Sequence, residues 1–410
     1  MKKTALLLLV ALVLGWAGCS SDSTVEVKNL RLEMKENPLG INVTQPRFSW
    51  QIASGKPDLK QTAYQIQVAA SPEQLESGDG LLWDSGVVRS DESVLVPYAG
   101  KALESGKPYY WRVKLTTNQG ARYTAAALLG KFYMFRKELS KAEVEFKKII
   151  DKEGSLFGLM ENWADNFDGM HKNNKESLFE IQFTGDRSGG QYEYNLFTVH
   201  LGPMAGLDAY EEAYPTDWMC QTLLADKTID GKSSDRALHT LIFDDPECRP
   251  FYYKNGKSFK DYHKEGEIFW HKYVTYSDYW DYSFFNVSVI RYADVLLLYA
   301  ECLNDKGETT EAINIINKVR ARVNVPALPL TMSKAEVLKH LQDKERPCEL
   351  ALEGSRWYDL VRWGIVEETL KAHNKPFVEN YVDTKHQLFP IPHSEFLLNP
   401  DWEQNPNYSK

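Results

Sequence analysis

Cysteine is scarce in this 410-residue chain: Cys19, Cys220, Cys248, Cys302 and Cys348 are the only five, and none lies in a C-x-x-C pair. That spacing supplies neither a metal knuckle nor a thiol–disulfide motif. Cys302 and Cys348 fall in helical patterns and read as buried thiols. Positive charge is in deficit as well. Lys plus Arg number 48 against 57 Asp plus Glu, a net charge of -9, which argues against nucleic acid as a partner, because phosphate requires a cationic footprint. The 25 glycines and 18 prolines are too few and too scattered for a fibrous or low-complexity protein. G-x-G-x-x-G, P-loop and G-x-S-x-G sequences are missing. No histidine stands at i,i+4 to another beside a Glu, and His263 and His271, eight apart, are a poor metal pair. Asp244-Asp245 with Glu247 is the one calcium candidate, and a solvated acidic turn is its better reading. No cofactor is expected.

Long apolar runs are confined to the N-terminus. Lys2 and Lys3 precede Ala5 to Leu14. Ten residues rise roughly 15 Å as a helix, about half a bilayer core, so the run cannot span and reads as a signal-peptide core. Trp16-Ala17-Gly18-Cys19 then resembles a bacterial lipoprotein signal, with Trp16 departing from the usual Leu. The expectation is a signal peptide over 1–18, lipidation at Cys19, and a polar tether over 19–24.

What is present falls into two unlike parts. From 25 to about 117 the period is two. Phe48, Trp50 and Ile52 alternate with Ser49 and Gln51. Tyr64, Ile66 and Val68 alternate with Ala63, Gln65 and Gln67. Trp111, Val113 and Leu115 alternate with Tyr110, Arg112 and Lys114. One apolar face at period two is a half-buried strand. Short strands separated by Gly, Pro, Asp and Ser predict a β-sandwich over 25–120 of immunoglobulin or fibronectin type III kind. Pro38-Leu39-Gly40-Ile41, Pro46-Arg47-Phe48-Ser49-Trp50, Gln61 to Ile66, Leu82-Trp83-Asp84-Ser85-Gly86 and Tyr110-Trp111-Arg112-Val113 resemble the N-terminal fibronectin-like module of bacterial α-L-rhamnosidases. Those enzymes continue into a catalytic (α/α)6 barrel that nothing later in this chain matches, so the resemblance does not carry glycosidase activity with it. The strand pattern stops after Gly120, which predicts a sandwich lacking its last strand, with an open ladder edge.

From Arg122 the period becomes helical. Gly130 and Ala142 are twelve apart, with Tyr133 and Phe146 as the large neighbours, and Ala300 and Ala312 repeat the interval. Small residues at that spacing let paired helices approach closely, as in tetratricopeptide hairpins. Residues 154–285 between the pairs are aperiodic and aromatic, an irregular insertion able to carry a site. Glu345 to Gly364 predicts one helix, with Glu349 and Glu353 stacked at i,i+4 and paired by Arg356, and Asp359 paired by Arg362. Arginine pairing favours charged carboxylates, the opposite of a proton donor, so these read as structural ion pairs and not as an acid/base couple. Trp357 and Trp363 read as core of that helix, and Trp163 as structural. The prolines from Phe389 onward predict an extended strap.

Arg122 to Ile150, Ser177 to Phe183, Val289 to Leu297, the Glu345 to Gly364 stretch and the Gln404 to Tyr408 end are together similar to the SusD/RagB family of surface glycan-binding lipoproteins, over 121–410. The resemblance implies a mainly α domain of tetratricopeptide-type pairs, no catalysis, an outer-membrane lipid anchor facing the cell exterior, and partnership with a TonB-dependent SusC-like transporter. Family members begin with a helical half of their own, and here a rhamnosidase-like module stands in its place. Sugar rings offer C–H faces to flat aromatic rings, and their hydroxyls need planar polar partners. Trp218 beside Asp217, Trp270, Trp280 and Tyr282 flanking Asp281, and Tyr192 and Tyr194 after Gly189-Gly190 are accordingly the expected contacts for an oligosaccharide or polysaccharide. Two alternatives stay open: an enzyme of rhamnosidase type, and a helical docking protein without a sugar site.

Overall fold

A computed structural model describes residues 8–11, 26–41, 43–53, 60–88, 90–104, 106–183, 195–251, 257–274, 283–375 and 377–409, without side chains at 8–11, 118–121 and 249–251. The chain divides into two compact units, Met1–Tyr123 and Thr124–Lys410.

In the first unit, β1 (Leu8–Ala11), β2 (Glu26–Leu32), β3 (Arg47–Ala53) and β4 (Gln61–Ala69) precede a short α1 (Pro72–Ser77). Then follow β5 (Trp83–Asp84), β6 (Val96–Pro97) and β7 (Pro108–Thr117). They form a three-stranded sheet in the order β2-β3-β6 and a four-stranded sheet in the order β1-β7-β4-β5. The alternation read from the sequence packs Phe48, Trp50, Tyr64, Ile66, Val68 and Trp111 into one core. Each large ring fully buried there contributes roughly 1.5–3 kcal/mol. Trp50 meets the polar requirement of burial by donating Nε1–H to Gln61 Oε1 at 2.8 Å, and the Gln61 amide in turn donates to the carbonyls of Ser90 and Glu92. Ser49 breaks the alternation: it is buried, and its hydroxyl accepts the Leu95 N–H at 2.8 Å. Leu8–Ala11, within the apolar run read as a signal peptide, runs parallel to Pro108–Trp111, and its removal with the signal would leave that ladder edge open as expected.

α2 (Asn118–Phe135) begins one residue after β7 ends. In the second unit it pairs with α3 (Leu139–Ile150), and α8 (Tyr292–Lys306) pairs with α9 (Thr309–Arg322). The predicted small residues mark the contacts. A Cβ on Gly130 would lie 2.5 Å from the Phe146 ring, and Ala142, Ala300 and Ala312 are completely buried. Met134 of α2 meets Cys302 of α8, sulfur to sulfur at 3.4 Å, and Lys131 reaches Asp294 at 2.6 Å.

The region between the pairs is built of short pieces. A 3-10 turn (Trp163–Asn166) and β8 (Ser177–Ile181) lead to α4 (Phe197–Leu201), α5 (Met204–Leu207), α6 (Asp217–Leu224) and α7 (Asp235–Thr240). Next come β9 (Leu241–Ile242), a 3-10 turn (Phe259–Asp261), β10 (Phe269–Trp270) and β11 (Val287–Arg291). β8 pairs with β11 and β9 with β10, both antiparallel.

The single helix expected over Glu345 to Gly364 is not one helix. α10 (Lys334–His340) passes through a π turn (Leu341–Glu345) into α11 (Arg346–Leu350), the chain breaks, and α12 (Arg356–Trp363) restarts. Leu352 at φ 62 and Gly354 at φ 74 make the break, and glycine takes the second without strain. Glu353 therefore leaves the helical register and turns to Arg291 and Lys272, not to Arg356. The Asp359–Arg362 pair forms as expected, at 2.9 Å. Trp357 departs from its core assignment: on α12 it is 38 % exposed, edge-on to Tyr381. α13 (Val366–Ala372), α14 (Asp383–His386) and α15 (His393–Leu398) follow, so the strap is extended only in part, with Pro392 opening α15. Gln404 pins the strap to Ile391 from both sides of its amide, at 2.7 and 2.9 Å. No helix among the described residues is long and apolar enough to cross a membrane.

Candidate functional site

The insertion is fastened to the helices by buried charge. Arg291, at the end of β11, donates to Glu176 at 2.5 Å, to Glu349 at 3.0 Å and to both oxygens of Glu353 at 2.7 Å. Arg322 of α9 joins Glu176 at 2.7 Å and also meets Glu349. Arg236 of α7 pairs with Asp226 and Glu345, each at 2.7 Å, and Arg320 holds the other oxygen of Glu345 at 2.6 Å. Trp163 is completely buried and donates its indole N–H to Glu349 at 3.1 Å. Lys272 pairs with Glu353, its ammonium 4.1 Å from the Phe167 ring centroid. Burial works against charge on Glu349, but Arg322, Arg291 and Arg236 overcome it and hold the carboxyl down to about 2. Burial pulls Lys272 from 10.5 to about 8 against the opposing Glu353. Carboxylates held this way keep their charge and have no proton to donate, so the lattice fixes position and is unsuited to general-acid work.

The short elements of the insertion also wall a cleft of about 410 Å³, lined by Met204, Glu211, Tyr214, Tyr262, His263, Glu267 and Phe269 among others. Glu211 is oriented at both oxygens, one accepting the Met204 N–H and the other the Tyr214 hydroxyl at 2.7 Å. Glu267 accepts the Lys264 N–H at 2.9 Å. His263 packs between Phe259 and Phe269, its ring tilted about 45° to each, at 4.8 and 4.5 Å between centroids. Burial lowers its pKa, opposed by Glu267 and Glu211. Tyr214 is 56 % exposed and Tyr262 37 %. Open rings beside oriented carboxylates make a surface suited to sugar, with flat faces for C–H groups and acceptors for hydroxyls.

The residues expected from sequence are not gathered there. Trp270 is a core residue, 8 % exposed, and burial leaves it no face to offer a sugar. Trp218 opens α6 half-buried, with the Arg356 guanidinium 5.1 Å from its ring centroid and the His373 ring 4.7 Å away. Tyr192, Tyr194, Trp280 and Tyr282 lie outside the described residues, as does Cys19. Tyr214, Tyr262, Glu211 and Glu267 escaped the sequence reading, although Tyr210-Glu211-Glu212-Ala213-Tyr214 sets aromatic rings beside carboxylates within five residues. Cys220, Cys248, Cys302 and Cys348 are buried thiols.

Asp244-Asp245-Glu247 forms no cage. Asp244 pairs with Lys260 at 3.1 Å, and Asp245 accepts the Ser233 hydroxyl and the Glu247 N–H. Among the described residues, Asp165, Asp168 and His171 do bring three donor atoms within 4.8 Å of one another. They lie near the surface, and His171 Nδ1 is already engaged with Asp168 at 2.7 Å.

The fold defines a class: an immunoglobulin-like β-module joined to a mainly helical unit with tetratricopeptide-type pairs. Comparison with known proteins places both parts. Residues 252–408 match the SusD family, and residues 27–130 match the Rha78A-like, N-terminal immunoglobulin domain. SusD-like protein P2 of Formosa agariphila is 27% identical over 311 residues, 70% of this chain and 60% of that protein. An alpha-L-rhamnosidase of Streptomyces avermitilis is 43% identical over 98 residues, 24% of this chain but 9% of the enzyme. A SusD superfamily protein of Bacteroides vulgatus matches in structure with a TM-score of 0.59 and 28% identity, over 70% of this chain and 62% of that one. The chain is SusD-like in its helical part and Rha78A-like in its β-module. It spans three-fifths of the SusD-like relative, and its likeness to the rhamnosidase stays within that enzyme's immunoglobulin-like domain.

Proposed function

We propose that this protein is a cell-surface lipoprotein that binds glycan without cleaving it and delivers oligosaccharide to a TonB-dependent SusC-like transporter. The observation that carries the reading is the SusD-like match of sequence and fold across the helical unit. The cleft beside Tyr214 and Tyr262 supports it with chemistry suited to sugar. The N-terminal sequence supports export: Lys2 and Lys3, the apolar run and Ala17-Gly18-Cys19 fit a cleaved signal and lipidation at Cys19, which would hold the protein on the outer membrane. Tyr192, Tyr194, Trp280 and Tyr282 belong to this reading as further aromatic contacts. Trp218, half-buried on α6, stays in this reading as an expected contact, whereas Trp270 lies in the core. The mature protein should be retarded in affinity gels cast with a suitable polysaccharide, and identical mobility across a broad panel would contradict the reading.

A second reading, a helical docking protein without a sugar site, draws on the burial of Trp270 and the packing of Trp218. Co-purification with an outer-membrane barrel, combined with no glycan affinity, would favour it.

A further inference from the structure

We propose that the cleft between Tyr214 and Tyr262 is a subsite for a neutral, hydroxyl-rich sugar ring, and that it rejects uronate and sulfated glycans. This rests on the glycan-binding reading above and adds where a ring sits and what charge it can carry.

The cleft's composition carries the argument. Its wall holds two carboxylates, Glu211 and Glu267, and among the described residues neither Lys nor Arg lines it. A ring bearing its own carboxylate or sulfate would set like charges together in a partly desolvated recess without a cation to answer them. A neutral ring gains from the same groups, because each carboxylate oxygen accepts from hydroxyls, and charge-assisted hydrogen bonds are the stronger kind. Glu211 is prepared for that role. The Met204 N–H and the Tyr214 hydroxyl fix both its oxygens, so little side-chain freedom is lost when a sugar arrives.

The aromatic groups supply the other half of the recognition. Tyr214 projects from the wall with more than half its surface open, and Phe269 backs it at 6.0 Å between centroids. Tyr262 stands on the opposite segment, directly after the 3-10 turn Phe259–Asp261. The capping box of Ser258 and Asp261 holds that turn, with Ser258 N–H and Oγ–H both donating to Asp261 Oδ2 at 2.6 and 2.9 Å. Two rings on separately braced segments, with two carboxylates in the same wall, form a built recess and not a chance dimple on a loop. Its volume of about 410 Å³ lies in the range of small-molecule sites.

The test is affinity electrophoresis of the intact mature protein in gels containing a neutral β-glucan, a neutral rhamnose-containing glycan, polygalacturonate, alginate or a sulfated galactan. The proposal expects retardation by a neutral glycan and roughly tenfold or weaker affinity for the anionic ones at low salt. Tyr214→Ala and Tyr262→Ala, each compared with the parent at equal folded fraction by its thermal melt, should each weaken the neutral interaction roughly three- to tenfold. Tyr214→Phe, which keeps the ring and releases Glu211, should weaken it less. The double variant Glu211→Gln with Glu267→Gln should narrow the discrimination against polygalacturonate. Retardation by an anionic glycan that is lost in Tyr214→Ala would overturn the charge assignment. Retardation by a neutral glycan that is untouched in both tyrosine variants would overturn the location while leaving the glycan-binding reading intact. Retardation by none of the five would overturn both.

Discussion

Replacing Arg291 by Met tests whether the buried charge lattice holds the insertion to the helices. Arg291 is the only residue that touches Glu176, Glu349 and Glu353 together among the described residues, and it also donates to the Glu349 carbonyl at 2.9 Å. Methionine conserves the apolar stem and removes every donor. Arg322 would still answer Glu176 and Glu349, and Lys272 would still answer Glu353. The loss is therefore a partial orphaning of three buried carboxylates, and removing one partner of such a set costs about 3–5 kcal/mol. At about 2 °C per kcal/mol for a unit of this size, the helical unit should melt roughly 6–10 °C lower. Differential scanning calorimetry reads this directly, because the two compact units can unfold as separate transitions. The transition of the β-module should not move. A shift of the helical transition under about 2 °C, or an equal fall in both transitions, would refute the reasoning.

The lattice also sets a pH response. The Glu349 carboxyl is held to about 2, below its ordinary 4.5, so its stabilisation is complete above the ordinary value and fades as pH falls from about 4.5 towards 2. Acid unfolding followed by near-UV circular dichroism should fall in that window, and a unit unchanged at pH 2 would contradict the pairing. Lys272 has the opposite sign: with its pKa near 8 in the fold and near 10.5 unfolded, its burial is a penalty below pH 8 that lifts as pH rises to 10.5. Lys272→Met should be neutral or stabilising at pH 7 and should erase that alkaline rise in denaturant titrations, whereas a loss above about 3 kcal/mol would make the ammonium a net stabiliser. Gly130→Ala would put a methyl 2.5 Å from the Phe146 ring and should cost about 1–3 kcal/mol by parting α2 from α3, read as a lower melting temperature. A melt unchanged in Gly130→Ala would mean the two helices have slack there.

Features set by local period were legible in the sequence. Trp50, Ile66 and Trp111 lie on the predicted inner faces, and the twelve-residue interval located both hairpins, whereas the helix read from Arg122 already begins at Asn118. Features set by distant partners were not. Glu176 lies 115 positions from Arg291 and 146 from Arg322, and no spacing rule connects them. The same distance effect hid the break before α12, where the demands of Arg291 and Lys272 on Glu353 outweigh helical continuity. The cleft was obscure for a related reason: Tyr214 and Tyr262 belong to an aperiodic segment, and only the fold of the short elements from α4 to β10 brings their walls together. Trp270 stands out in the sequence as a large flat ring, and the apolar surface of such a ring is what draws it into the core.

The central claim is that the protein holds glycan intact. Incubating the mature protein with a polysaccharide that retards it, then sizing that polysaccharide by gel filtration, tests this most directly. Retained binding with an unaltered chain-length distribution is the predicted result, and progressive shortening, or release of free rhamnose, would contradict the account.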